Sequence, residues 1–148
     1  MKKCMKVAGL YIAVLKSISL IHQHNHWTNK SKSFYGNHLL FERLYKNTLE
    51  DLDLAAEKFI GLFGTECLDY NGQTAYLNFA LNKYKDIVKD PIQMSLTVEQ
   101  DFVKFCQDSY ECFDKEGELT LGLDDMLSSI SSRHEEACYL LGQVTSGE

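Results

Sequence analysis

A long stretch without proline, residues 34–63, constrains the fold more than any other feature of the chain. It is rich in Leu, Ala, Glu and Lys, which favour helices, and its apolar residues recur at intervals of three and four. The apolar positions are Phe41, Leu44, Tyr45, Leu52, Ala55, Ala56, Phe59 and Phe63. This spacing predicts one long amphipathic helix from Phe34 to about Gly61–Gly64, where glycines interrupt the pattern.

Four candidate metal ligands lie on this predicted helix as two pairs. His38 and Glu42 are four residues apart, and so are Asp53 and Glu57. At about 100° per residue, all four fall within about 100° of one another around the helix, so they share one face. A rise of about 1.5 Å per residue places His38 and Asp53 about 22 Å apart along the axis. Each pair can therefore hold one ion, but the two pairs cannot form one site within a single chain.

A two-fold axis would bring the two pairs together. If two copies of the helix cross antiparallel, His38 and Glu42 of one chain meet Asp53 and Glu57 of the other, and this contact occurs twice per dimer. Mixed imidazole and carboxylate ligands favour iron, manganese or zinc over calcium or magnesium. For the helix alone, solvated acids and a histidine near the helix start are the simpler interpretation.

Two short motifs occur here at a set spacing. The first contains His26-Trp27, Phe34, His38 and Glu42, and the second is Asp53-Leu54-Ala55-Ala56-Glu57-Lys58. Both resemble the signatures of the Dps proteins, the mini-ferritins of bacteria and archaea, and the resemblance continues weakly over about residues 5–143. Glu42 departs from the pattern, because an aspartate is commoner at that position.

The resemblance implies an all-α fold in one domain, residues 1–148. The expected architecture is a ferritin-like four-helix bundle with a short extra helix in the crossover between helices two and three. Periodicity predicts the other helices at about Lys3–Trp27, within residues 76–84, and at about Leu96–Lys115 and Leu121–Gly142. A turn is predicted at residues 69–72, and Ser33 is a candidate cap of the second helix.

The resemblance also implies an activity, ferroxidation at an intersubunit di-iron site. Fe(II) would bind His26, His38 and Glu42 of one chain and Asp53 and Glu57 of its partner. Hydrogen peroxide, or more slowly dioxygen, would oxidise it, and Fe(III) mineral would be stored in a hollow shell, protecting against oxidative damage. The usual shell is a homododecamer built from two-fold dimers, and Zn or Mn could substitute for iron. Trp27 could supply an electron, or it could be a packing residue at the helix end.

The remaining histidines receive other interpretations. His22 and His24 are predicted to be polar surface residues, and His134, on the apolar stripe of the last helix, to be a hydrogen-bonded core residue. The ligand set of ordinary ferritins, within one bundle, is not supported. The predicted first helix has no acid, and Ser131 stands where a Glu-x-x-His pair would need glutamate.

Charge is distributed unevenly along the chain. The first 41 residues hold six lysines and no acid, which gives them a net charge of +6. Since the whole chain has a net charge of −6, the remaining 107 residues carry −12. The only basic tail is Lys2, Lys3 and Lys6, which predicts weak or absent DNA binding. A DNA-condensing stress protein and a metal-binding shell without redox activity remain the alternative functions.

The cysteines and the N-terminal segment bear on the cellular compartment. Five scattered cysteines without a CxxC pair favour reduced thiols over a disulfide framework. Lys16 interrupts the first apolar segment, and no small-x-small cleavage site follows it. Neither a signal peptide nor a membrane span is predicted, and the expected location is the cytoplasm.

Overall fold

The chain folds into five α-helices, as described by a computed structural model that covers residues 3–87 and 90–146. No strand occurs in those two ranges, so the predicted all-α class is confirmed. The helices are α1 Met5–Thr28, α2 Phe34–Phe63, α3 Tyr70–Ile87, α4 Pro91–Lys115 and α5 Leu121–Ser146, with a 3-10 turn at Thr65–Cys67.

Contacts between helix ends define the direction of each long helix. His26 near the end of α1 stacks on His38 near the start of α2, so these two helices are antiparallel. The thiol of Cys4, at the start of α1, contacts the thiol of Cys112 near the end of α4, so α4 is also antiparallel to α1. Therefore α2 and α4 run in the same direction, and a long crossover containing α3 connects them.

The last helix completes a four-helix arrangement. Tyr110 on α4 bonds Asp124 near the start of α5, which makes α5 antiparallel to α4. Further along the pair, Glu99 on α4 bonds His134 on α5. The four long helices thus run up, down, down and up, and α3 packs mainly against α1.

Aromatic side chains fill one end of the core. Tyr11 meets Phe59 and Phe102 edge-on, each with ring centroids 5.5 Å apart, and Phe59 and Phe63 both stack on Phe113 at 5.8 Å. The opposite end contains a smaller apolar cluster from α2, α4 and α5. Its buried members are Phe41, Leu44, Ile92, Leu96, Ala137 and Leu141. These clusters join three or more helices at each end, which fixes the bundle that carries the candidate site.

Most predicted helices are confirmed, but several ends differ. The second helix covers Phe34–Phe63 as predicted, and Gly64 ends it at a φ of 86°. The predicted turn at residues 69–72 is wrong, because Asp69 accepts a hydrogen bond from the Gly72 amide at 3.0 Å and α3 already begins at Tyr70. The fifth helix continues past its predicted end at Gly142 to Ser146.

Two predictions about helix starts were also wrong. The fourth helix begins at Pro91 rather than Leu96, because Asp90 caps it and proline suits the first helical position. Ser33 makes no side-chain capping bond to α2.

Of the predicted basic tail, Lys2 lies outside the described residues, and Lys3 pairs with Glu116 at 3.4 Å.

Helix α1 is long and apolar enough, by length and composition alone, to cross a bilayer. Within its most apolar 18-residue segment, 61% is buried inside the bundle. Helix α1 packs there against α2, α3 and α4. An interior helix and a leader sequence both have this composition, so the property by itself assigns α1 to neither class.

Candidate metal centre

Two stacked imidazoles lie where α1 ends and α2 begins. The rings of His26 and His38 are nearly parallel, with centroids 3.7 Å apart, and the Tyr45 ring meets His26 edge-on. His26 Nδ1 donates to the His38 carbonyl oxygen at 2.7 Å, and His38 Nδ1 donates to the His26 carbonyl oxygen at 2.8 Å. These reciprocal bonds fix both rings and occupy each Nδ1–H, so Nε2 is the nitrogen that each ring can offer to a metal ion.

Glu42 follows one helical turn after His38. Its carboxylate accepts a hydrogen bond from Lys46 at 2.6 Å. That bond and the charge of Lys46 lower the pKa of Glu42, and the two imidazoles contribute in the same direction. Of the five predicted ligands, the structure thus brings His26 and His38 into contact, and Glu42 lies one helical turn after His38 with its carboxylate ionised and bonded to Lys46.

The other two predicted ligands lie elsewhere on α2. Asp53 and Glu57 are both exposed on the same continuous helix, so the helical rise separates Asp53 from His38 by about 22 Å. Asp53 lines an open groove of about 590 Å³ between α1, α2 and the start of α3. Within residues 3–87 and 90–146 of one chain, no three His, Cys, Asp or Glu side chains are arranged to hold a metal ion.

Apolar side chains are exposed beside these ligands. Trp27, next to His26, is 66% exposed, so it is not a core residue of a single chain. Leu39 and Leu49 on α2 and Leu20 on α1 are also exposed. Leu20 and Leu49 line a second groove of about 350 Å³, adjacent to the first. One face of α1 and α2 therefore carries both the candidate ligands and uncovered apolar surface.

A second polar cluster, unpredicted from the sequence, lies inside the bundle. His134 on α5 donates from Nδ1 to Glu99 at 2.5 Å and from Nε2 to Asp51 at 2.9 Å. His22 on α1 donates from Nε2 to the other Glu99 oxygen at 2.7 Å. Arg133 bonds Asp51 at 2.7 Å, where the chain of contacts reaches the surface. Each of the four long helices thus contributes at least one polar group to this buried network.

The network continues toward the candidate metal centre. The Asn25 amide donates to the Ser95 hydroxyl at 2.8 Å, and that hydroxyl lies 2.9 Å from His22 Nδ1. Glu99 is an ionised carboxylate and can only accept, so His22 presents Nε2–H to it. Asn25 directly precedes the candidate ligand His26, so the buried network and the candidate metal centre adjoin on α1.

Opposite charges maintain the network in its ionised form. Burial by itself would raise the pKa of Glu99, but the charge of His134 and hydrogen bonds from His134 and His22 lower it to about 2. Burial by itself would lower the pKa of His134, but the charge of Glu99 and hydrogen bonds to Asp51 and Glu99 raise it to about 9. A buried imidazolium thus lies between two carboxylates.

The prediction for His134 is confirmed and that for His22 is wrong. His134 is a buried, hydrogen-bonded core residue, and His24 is exposed as predicted, but His22 is 0% exposed. The sequence does contain a signal for this burial. His22 follows the buried Tyr11, Leu15 and Ile18 at helical spacing, so it belongs to the inward stripe of α1.

The other buried acids show the same signal. Asp51 lies in phase with the buried Leu44 and Ala55, and Glu99 with the buried Ile92 and Phe102. A titratable residue in phase with an apolar stripe indicates a partner on a facing helix.

No protein-family model and no curated protein matches this chain.

Proposed function

We propose that the chain is a Dps-type mini-ferritin, a ferroxidase that oxidises Fe(II) at a site shared by two subunits and stores the Fe(III) product. The fold we infer is a ferritin-like bundle that assembles through two-fold dimers into a closed shell, with the homododecamer as the expected form. The up, down, down and up order of the helices and the helix in the crossover support this proposal.

The reciprocal hydrogen bonds of His26 and His38 carry the proposal. A metal-binding histidine characteristically donates its other ring nitrogen to a backbone carbonyl or carboxylate, which fixes the ring and the protonation state. Both histidines do this, at 2.7 and 2.8 Å, and their rings stack nearly parallel with centroids 3.7 Å apart. A pair of surface histidines without a ligand would not need both rings constrained in this way.

The exposed acids supply the missing half of the site. Asp53 and Glu57 lie on the same helix as His38 but about 22 Å or more along it, so only a partner subunit can bring them to the histidines. The exposed leucines beside them, Leu20 and Leu49, are the kind of surface that a subunit contact covers. A two-fold dimer then contains two complete sites.

The expected reaction converts two Fe(II) ions and one hydrogen peroxide molecule into two Fe(III) ions and two hydroxide ions. Each Fe(II) loses one electron, and the two electrons break the O–O bond of the peroxide. Imidazole ligands such as those of His26 and His38 favour Fe(II), while Glu42 and the partner's acids supply the negative charge that Fe(III) needs. Because two of the five ligands are imidazoles, the product is not held as tightly as in an all-carboxylate site.

Strong DNA condensation does not form part of the proposal. The chain is acidic overall, and Lys3 of its short basic tail is paired with Glu116. Phosphate binding would have to displace that contact and overcome the net charge of −6. A cytoplasmic location and a homo-oligomer without membrane or nucleic-acid partners are the corresponding expectations.

The test is Fe(II) oxidation after addition of hydrogen peroxide, in wild type, His38→Ala and Asp53→Ala. Each variant alone is expected to lose activity, because every site in its dimers lacks one ligand. When the two variants are unfolded together and refolded, half of the dimers are mixed, and each mixed dimer has one intact site. The mixture should therefore recover about a quarter of the wild-type rate. His24→Ala, which changes an exposed histidine nearby, is the matched control and should keep full activity.

Two results would contradict the proposal. A wild-type rate no faster than that of buffer excludes a ferroxidase, and zinc binding without Fe(II) oxidation would then indicate a metal-binding shell. Fast oxidation with no recovery in the mixture, although both variants keep their helical circular dichroism, excludes the shared site.

A further inference from the structure

Two cysteines that are far apart in the sequence meet at one end of the bundle. Cys4 lies at the start of α1 and Cys112 near the end of α4, and their sulfur atoms are 3.5 Å apart. The Cys4 sulfur is also 3.6 Å from the Cys112 carbonyl oxygen. No other two of the five thiols make such a contact within residues 3–87 and 90–146, and none is bonded in a disulfide. This pair is a feature of the fold, since 108 positions separate the two residues in the sequence.

Polar contacts hold Cys4 beside Cys112. The backbone amides of Lys3 and Cys4 both donate to the Glu118 carboxylate, at 2.8 and 3.0 Å. The Lys3 ammonium adds an ion pair with Glu116. The segment that holds these acids directly follows α4, so it fixes the start of α1 beside the last turn of α4. The two sulfurs are therefore already positioned to react with each other.

We propose that Cys4 and Cys112 form a reversible disulfide in response to a peroxide, as a thiol redox site separate from the metal centre. Along α1, Cys4 lies about 33 Å from His26, at about 1.5 Å per residue. Thiol oxidation by peroxide needs no iron, so this proposal does not rest on the proposed function.

The difference in environment assigns the roles of the two thiols. Cys4 is 0% exposed, and burial together with Glu118 and Cys112 raises its pKa well above the usual range. Cys112 is only half-buried, so a small peroxide reaches it from solvent. Cys112 is therefore the thiol that reacts first, and Cys4 is the resolving thiol.

The chemistry balances in two steps. The Cys112 thiolate attacks one peroxide oxygen, the O–O bond breaks, and Cys112 sulfenic acid and hydroxide result. The Cys4 sulfur then attacks the Cys112 sulfur, the S–O bond breaks, and the Cys4 proton leaves with the hydroxyl as water. In total, two thiols and one hydrogen peroxide give one disulfide and two water molecules, and a dithiol reductant reverses the change.

The bond would tie the N-terminal helix to the C-terminal end of α4. Because it closes a loop of 108 positions, it restricts the unfolded chain strongly. The oxidised protein is therefore expected to melt on the order of 10 °C higher than the reduced protein.

The decisive experiment treats the full-length protein with hydrogen peroxide in the presence of a strong metal chelator. Free thiols are then counted after denaturation and alkylation, and peptides are mapped without reduction. Trypsin should release Cys4–Lys6 linked to Phe105–Lys115, and cleavage after Glu111 assigns the bond to Cys112 rather than Cys106. The expected result is three free thiols instead of five, this cross-linked peptide, and recovery of all five thiols with dithiothreitol.

Matched variants test the order of the steps. Cys138→Ser changes another half-buried cysteine that contacts no second thiol, and it should form the same cross-link as the wild type. In Cys4→Ser, oxidation by peroxide should stop at the Cys112 sulfenic acid, which dimedone traps. In Cys112→Ser, Cys4 should neither be oxidised by peroxide nor be labelled by dimedone.

The outcomes separate clearly. Five free thiols after peroxide, a cross-link that joins other cysteines, or irreversible oxidation of Cys112 in the wild type would each overturn the proposal. Because iron is absent throughout, none of these results bears on the ferroxidase, and loss of ferroxidase activity would leave this disulfide unaffected.

Discussion

Raising the pH should destabilise this protein by removing the charge of one buried histidine. His134 is 4% exposed and lies between Glu99 and Asp51, and its pKa is raised from 6.5 to about 9. A group whose pKa is higher in the folded state stabilises the fold below its unfolded pKa and loses that contribution as pH rises toward its folded pKa. The stabilisation by His134 is therefore complete below about pH 6.5 and disappears by about pH 9.

The magnitude follows from the two pKa values. Between pH 5.5 and pH 8.5 the contribution of His134 to the free energy of unfolding falls by about 2.5 kcal/mol. With a urea m-value of about 2 kcal/mol/M, the midpoint of unfolding should move down by about 1 M. Glu99 has the opposite sign: its pKa is lowered from 4.5 to about 2, so its contribution is lost as pH falls through that range. Stability should thus be highest between about pH 4.5 and 6.5.

Urea unfolding followed by circular dichroism at pH 5.5, 7 and 8.5, at one protein concentration, measures this dependence. His134→Gln should be less stable than the wild type at pH 5.5, because Glu99 and Asp51 lose their imidazolium, and its midpoint should change little with pH. His24→Gln, which changes an exposed histidine, should keep the wild-type pH dependence. Equal pH dependence in the wild type and His134→Gln would refute the argument, as would a wild type that gains stability toward pH 8.5.

Two further predictions concern the core and the metal centre. Phe59→Ala removes a fully buried ring that contacts Tyr11 and Phe113, so the free energy of unfolding should fall by about 3–5 kcal/mol. Leu54→Ala, at an exposed position of the same helix, should change it by less than about 0.5 kcal/mol. Equal losses in urea unfolding would contradict the assigned core. Trp27 is the only tryptophan, so anaerobic Fe(II) should quench the tryptophan emission of the wild type but not that of His26→Ala; unchanged emission in the wild type would argue against iron binding at His26.

Periodicity predicted the helices well where they are long and amphipathic. Apolar residues at every third or fourth position lie on one face only in a helix, so α2 was predicted to begin at Phe34 and to end near Gly61–Gly64, and it ends at Phe63. The positions of His38, Glu42, Asp53 and Glu57 on one helix followed from the same regularity. Helix starts were less predictable, because aspartate and proline, here Asp69 before α3 and Pro91 at the start of α4, are common both in turns and at helix N-termini.

The candidate site was predictable only in part. Spacing placed His38 one turn from Glu42, but the stacking of His26 on His38 depends on how the polar link 29–33 turns back and on carbonyls of two different helices. That geometry is a property of the helix junction, which no local pattern describes.

Apolar periodicity alone predicts that the chain is helical, which stripe of each helix faces inward, and which candidate ligands share a face. Which inward residues meet depends on how the helices pack. His22 and Glu99 are 77 positions apart, and Cys4 and Cys112 are 108 apart, so their contacts depend on the direction and rotation of whole helices. An apolar stripe defines an inner face but not its partner. A buried polar side chain on that stripe is stable only when the facing helix supplies the matching group, and that pairing is decided by packing.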